Sequence, residues 1–289
     1  MRVDVRKTYK LFIGGQFPRS ESGRSYELFD AKGNFLANPA LASRKDLRDA
    51  VVAARAASEK WASASAFNRS QILYRVAEVM EGRRDQFVTE VMAQEGVTKA
   101  QATKQVDAAI DLWVWYAGWC DKISTIFGST NPVSGSFYNF TTPEPVGVVA
   151  AFIDGSTSLI DFVHGVAPIL AGGNVVIAIA NEEYPLSAIT LAEVIATSDV
   201  PGGVVNVLTG RTEELAPWVA SHMDIDGVDG SGLEPSAYEA LKRDGADNLK
   251  RIYRFKAEGS PQRIIGFMEN KTVWHQSDLV FYQDFLVTS

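Results

Sequence analysis

Few residues of this chain are of the types that do covalent chemistry, and their spacing assembles none of the usual catalytic sets. The single thiol is Cys120. It closes the stretch Trp113, Trp115, Tyr116, Trp119, Cys120, whose helical spacing is that of a packed aromatic stripe, so a small buried residue is the expected role rather than a nucleophile. The histidines His164, His222 and His275 are scattered, and no group has metal-ligand spacing. Ser156, Asp161 and His164 could make a hydrolytic triad, but the turn that carries them lacks the Gly-x-Ser-x-Gly elbow such a nucleophile needs. One turn remains, Asp154-Gly155-Ser156-Thr157-Ser158. No catalytic residue and no metal ligand is assigned.

That turn follows an apolar run that reads as a strand. From Val146 to Phe255 such runs alternate with helix-patterned segments: strands at Val146–Ile153, Asn174–Ala180, Val204–Leu208, Ile225–Val228 and Leu249–Phe255, with helices at 157–171, 185–196, 213–221 and 235–244 between them. Four successive strand-helix-strand units predict an α/β fold, a Rossmann-like doubly wound parallel sheet of about five strands with helices on both faces. Strands of this kind deliver the turns that follow them to the carboxyl edge of the sheet, where open α/β folds bind ligands. A third functional reading, a small-molecule site built on Gly155-Ser156-Thr157, rests on that placement alone.

The first part of the chain predicts a helical layer over the sheet. Paired glycines in Lys10-Leu11-Phe12-Ile13-Gly14-Gly15-Gln16-Phe17 give a hairpin signal, and Tyr26-Glu27-Leu28-Phe29 before Asp30-Ala31-Lys32-Gly33-Asn34 gives a second. Ser43 with Asp46 reads as a capping box opening a long helix to Trp61. Asn68 is the expected cap of the next, and further helices are expected at 84–94 and from Lys99 to about Ile123. Ser136–Thr142 is aromatic and β-branched, an extended arm that ends at Pro143 and Pro145. Near the other end Arg263–Phe267 and Asn270–Trp274 read as strand, and 278–289 is apolar enough to want a partner surface.

Composition narrows the partners. The 289 residues carry a net charge of -7, which argues against nucleic acid and anionic membrane, both of which are met by clustered Lys and Arg. No apolar run approaches the roughly 18 residues of a membrane span, one cysteine excludes an internal disulfide, and a cytoplasmic protein is the expectation.

Five blocks have a familiar order. Lys10-Leu11-Phe12-Ile13-Gly14-Gly15-Gln16, Tyr116-Ala117-Gly118-Trp119, Glu144-Pro145-Val146-Gly147-Val148-Val149, Leu170-Ala171-Gly172-Gly173-Asn174-Val175-Val176 and Pro201-Gly202-Gly203-Val204-Val205-Asn206-Val207-Leu208-Thr209-Gly210 resemble the NAD(P)-dependent aldehyde dehydrogenase superfamily over about residues 9–255. Glu269-Asn270-Lys271-Thr272-Val273-Trp274 resembles its carboxyl-terminal strand. The resemblance implies a cofactor-domain-like Rossmann unit over 1–132 and 144–258, an oligomerisation arm over 133–143 and 261–276, and a tail over 277–289, with the intervening catalytic domain missing.

The family's chemistry is missing with it. Aldehyde oxidation needs a thiolate nucleophile. Cys120 does not lie where the family's nucleophile does, Ser156 stands at the position of the oxyanion-binding asparagine, and Arg254-Phe255-Lys256-Ala257 stands where the general-base glutamate would follow the fifth strand, with Glu258 outside the motif. At the cofactor edge Ile179 replaces a lysine and Val228-Asp229 replaces a Phe-Thr pair. Glu182, Gly210, Gly230 and Ser231 keep positions that the resemblance assigns to cofactor binding. The implied reading is an inactive, oligomerising subunit, a homodimer or a partner of a full-length aldehyde dehydrogenase, similar to the non-catalytic second domain of double-domain enzymes. On that reading no cofactor is expected. The alternative is an oxidoreductase subunit that still contributes an NAD site to aldehyde oxidation.

Overall fold

The computed structural model describes residues 3, 5–256 and 259–276. The expectations placed on Ala257, Glu258 and the tail 277–289 lie outside the described residues. The first elements are a short antiparallel pair, β1 (Leu28–Phe29) and β2 (Phe35–Ala37). The glycine-paired segment before them is not a regular hairpin. It makes one bridge, Ile13 to Gln16, while Phe12 pairs antiparallel with Val207 at an edge of the main sheet. The long-range pairing wins because it covers an open sheet edge.

Five helices follow: α1 (Arg44–Ser63), α2 (Ala66–Gly82), α3 (Arg84–Glu95), α4 (Lys99–Ala117) and α5 (Ile123–Phe127). The predicted capping box is present at Ser43 and Asp46. The second helix, however, is capped by Ser65, whose side chain accepts from the Asn68 N–H, so Asn68 lies inside the first turn. The fourth stops at Ala117, short of the expected Ile123, because the chain tightens into turns at Gly118 and Trp119 before α5 begins.

The strands β3 (Ser129–Asn131) and β4 (Phe137–Pro145) lead into the parallel unit. There β5 (Val148–Phe152), α6 (Ile160–Ala171), β6 (Val175–Ile179), α7 (Leu186–Ala196), β7 (Val205–Leu208), α8 (Thr212–Ser221), β8 (Gly227–Asp229), α9 (Pro235–Asp244) and β9 (Arg251–Tyr253) alternate. The sheet order is β7-β6-β5-β8-β9, all parallel. Every residue of β5 and β6 is buried, as expected of strands covered on both faces. One face packs on α1, flanked by α8 and α9. The other packs on α6 and α7, behind which α2, α3 and α4 form a second layer. Trp61, Phe87 and Trp113 fill the space between layers with at most 1% exposure.

Strand order reverses after β5: the chain runs outward through β6 and β7, then returns to β8 on the other side. The switch point between β5 and β8 is where such sheets open a ligand crevice. At the opposite end of β5, Gly147 has φ +126°, and a Cβ there would meet Asp226 Oδ2 at 2.4 Å.

The chain ends in α10 (Gln262–Ile265) and β10 (Met268–Gln276). Arg263–Phe267 is therefore a helical turn rather than strand. Pro261 opens that turn, and Ile264 and Phe267 bury their side chains at 0% and 1% exposure. The strand β10 pairs with β4 over nine residues, from Met268 opposite Pro145 to Gln276 opposite Phe137, and β3 lies on the far side of β4.

Candidate functional site

The carboxyl ends of β5 and β8 carry the two turns that the sequence singles out. After β5, every backbone donor from Gly155 to Ser158 that forms a hydrogen bond uses a carboxylate of the chain itself. Gly155 N–H donates to Asp154 Oδ1 at 2.7 Å, Thr157 N–H to Asp161 Oδ2 at 2.7 Å, and Ser158 N–H to Glu95 Oε1 at 2.7 Å. Ser156 is exposed and Asp161 is committed to Thr157. His164 is 4% exposed and its Nδ1 has no partner among the described residues. Burial and the neighbouring Arg263 guanidinium push its pKa down to about 4. The three residues form no hydrolytic relay.

After β8 the arrangement is denser. Asp229 is 3% exposed. Its Oδ1 accepts from the Ser231 N–H at 3.0 Å and from the Ser231 hydroxyl at 2.5 Å, and its Oδ2 from Arg263 Nη1 at 3.2 Å. Arg263 also donates to the His164 carbonyl at 3.1 Å and the Lys256 carbonyl at 2.7 Å. Burial lifts the Asp229 carboxyl above the usual carboxylate range, with Arg263 opposing the rise. The Ser231 hydroxyl accepts in turn from the Phe255 N–H at 3.0 Å. Gly230 donates to Tyr253 O at 2.8 Å, and a Cβ there would meet the Tyr238 ring at 2.7 Å. Arg254 caps the Leu233 carbonyl and lies 4.8 Å over that ring.

Glu182 and Gly210 lie on the other side of β5, after β6 and β7. Both line a groove of about 440 Å³ together with Tyr26, Asp30, Glu95 and Arg211. Glu182 Oε1 accepts from the Thr212 N–H at 2.5 Å, capping the first turn of α8, while its carbonyl accepts from the Tyr26 hydroxyl at 3.3 Å. At Gly210 a Cβ would lie 3.1 Å from the Ala42 backbone nitrogen. The structure thus gathers Glu182 and Gly210 into one groove and places Gly230 and Ser231 apart from them.

Cys120 is 3% exposed, its Sγ donates to Tyr116 O at 3.7 Å, and burial pushes the thiol up to about 12. A thiol so placed is poor in thiolate and inert. Among the described residues no group of three or more His, Cys, Asp or Glu could hold a metal ion, and no helix is long and apolar enough to cross a membrane.

A family model described as the aldehyde dehydrogenase family matches residues 18–258. The chain belongs to the aldehyde dehydrogenase family. It is 31% identical over 258 residues to cytosolic 10-formyltetrahydrofolate dehydrogenase of Xenopus tropicalis, covering 86% of this chain and 28% of that one. It is 32% identical over 257 residues to retinal dehydrogenase 2 of Gallus gallus, covering 87% of this chain and 49% of that one. The solved NAD+ complex of an aldehyde dehydrogenase from Bacillus cereus superimposes with a TM-score of 0.79 at 28% identity, over 85% of this chain and 50% of that one. The chain spans half the length of these relatives or less.

Phosphates bound at a switch point need free donors there. Both donors of Ser231 and one arm of Arg263 are turned onto Asp229. Helix α9 opens with Pro235, which has no N–H, behind Glu234 at the cap position. As they stand, these residues do not fit the phosphates of a dinucleotide. Asp229 is buried and bonded to Arg263, and no signal in the sequence announced that partner. Arg263 reads as part of a strand until the helical turn at Pro261 is seen.

Proposed function

We propose that this chain is a catalytically silent aldehyde dehydrogenase-like subunit that acts through its three-stranded arm, as a homodimer or beside a full-length aldehyde dehydrogenase. The observation that carries this reading is the surface of the β10-β4-β3 sheet. Trp274 is 59% exposed, Phe137 46% and Tyr138 50%, and Trp274 packs edge-on against Phe137 at 5.9 Å between ring centroids. Exposed aromatics on a sheet whose outer strand runs nine residues with one edge unpaired among the described residues mark an association surface. The chemistry points the same way: the one thiol is buried, the turn after β5 presents Ser156 in place of an amide donor, and Arg254 and Lys256 stand where the family's base would follow β9.

Members of the family are commonly oligomeric. Light scattering of the purified chain, and co-purification with full-length aldehyde dehydrogenases, test the proposal. A dimer or a stoichiometric complex is expected. A chain that stays monomeric at all accessible concentrations and co-elutes with none of them would dispose of it. Aldehyde oxidation by the chain alone would equally remove the silent part of the reading.

A further inference from the structure

Asp229 and Arg263 form the most deeply buried ion pair among the described residues, with side chains 4% and 5% exposed. The pair sits at the switch point, where a carboxylate is out of place on structural grounds alone, since burying a charge there costs more than an apolar pair would. The groups turned on Asp229 make sense of it. A backbone N–H at 3.0 Å, a hydroxyl at 2.5 Å and a guanidinium nitrogen at 3.2 Å converge on its two oxygens. That is the donor set that binds a free oxyanion. The glycines on either side keep the turn tight: Gly232 donates to Phe152 O at 2.9 Å, and a Cβ on it would meet the Ile153 carbonyl at 2.3 Å. The guanidinium is not saturated by this arrangement, since Arg263 Nε is buried without a partner among the described residues.

We propose that the turn after β8 is an oxyanion cradle that the chain fills with its own side chain, the Asp229 carboxylate standing where a ligand's phosphate or carboxylate would sit. The crevice is then closed to nucleotide phosphates by occupancy, not by loss of donors. Anion binding, rather than association through the arm, is what the test reads, so the two proposals fail separately.

The experiment removes the resident anion and offers replacements. Asp229→Ala deletes the carboxylate, and Asp229→Asn keeps its volume while removing its charge. Melting temperatures of both variants and of the unaltered chain are followed with sodium formate, inorganic phosphate, and sodium chloride at matched ionic strength. Asp229→Ala is expected to melt well below the unaltered chain in chloride and to recover saturably in formate and in phosphate, by about 5 °C at a hundredfold excess over the dissociation constant. The unaltered chain and Asp229→Asn are expected not to respond beyond the chloride control. No anion-specific recovery of Asp229→Ala would overturn the proposal, as would an equal response of the unaltered chain. Recovery in formate alone would remove phosphate from the ligand class. Should Asp229→Ala fail to fold in chloride, refolding in formate or phosphate is the readout, and failure in all three counts against the cradle.

Discussion

One carboxylate oxygen of Asp226 joins three elements: Oδ2 accepts from Arg55 Nη2 at 2.8 Å and from the Val148 N–H at 2.7 Å, so the loop before β8 is tied to α1 and to the first residue of β5. The missing side chain of Gly147 makes room for it. Asp226→Ala leaves the Val148 donor without its acceptor, while Arg55 keeps the Asp224 carbonyl. Both charged side chains are about a third exposed, so the loss is set by the backbone bond more than by the ion pair. A destabilisation of about 2 kcal/mol is expected, read as a lower urea midpoint at unchanged slope.

His164 predicts an acid-sensitive term. Its folded pKa of about 4 lies below the ordinary 6.5 because the imidazole is buried and faces Arg263. The neutral ring is favoured in the fold, so protons bind preferentially to the unfolded chain below pH 6.5. Stability should fall as pH drops from 6.5 toward 4, by at most about 3 kcal/mol. The carboxyls of Asp161 and Asp229, both raised by burial, face the same region and oppose this trend where they become protonated. The difference in melting temperature between the unaltered chain and His164→Leu isolates the imidazole. Taken as unaltered minus variant, it should fall steadily from pH 6.5 to pH 4, and a constant difference would refute the assignment.

Cys120 should resist thiol reagents in the folded protein. With the thiol pushed up to about 12, little thiolate exists at pH 8, and at 3% exposure the sulfur is shielded as well. The neutral thiol is the form the fold favours, so this term stabilises at neutral pH and is lost as pH rises from about 9 toward 12. Labelling by a disulfide reagent should follow global unfolding, with rates that rise with denaturant. Fast labelling in native buffer would show a route to the sulfur that the packing does not.

The arm predicts a separation of association from stability. Trp274 is 59% exposed and touches Phe137 on the arm itself. Trp274→Glu should weaken self-association or complex formation by at least tenfold, as loss of a central aromatic at an interface does, while shifting the melting temperature of the isolated chain little. Equal sedimentation of variant and unaltered chain would move the association surface elsewhere.

Titration with NAD+ should leave the melting temperature of the chain unchanged, because Ser231 and Arg263 already serve Asp229. A saturable rise would reinstate the groove lined by Glu182 and Gly210 as a cofactor edge.

The sheet was legible because β5 and β6 are buried on both faces and so read as unbroken apolar runs, such as Val148-Val149-Ala150-Ala151-Phe152. The helices of the first half were legible from their apolar periodicity, though the cap at Ser65 was hidden by the equally good Asn68 three residues on. The pairing of Asp229 with Arg263 was not legible, since it joins residues 34 positions apart across a turn and nothing local at either end announces it. Arg263–Phe267 misread as strand for a related reason. Ile264 and Phe267 are buried by the core they plug, and apolar residues three apart over so short a stretch carry no reliable period.

Arg251 Nη1 on β9 donates to the Met268 carbonyl on β10 at 2.8 Å, so the end of the sheet and the start of the arm's edge strand lie side by side although residues 254–267 separate them. Two chain ends held that close form a natural splice point. A polypeptide of any length whose own termini are neighbours can be carried between them at a loop-closure cost that grows only logarithmically. The junction is thus a socket for a module, and a foreign domain grafted in at the exposed Gly259, ahead of the helical turn that carries Arg263 and the buried Ile264, should leave sheet and arm standing.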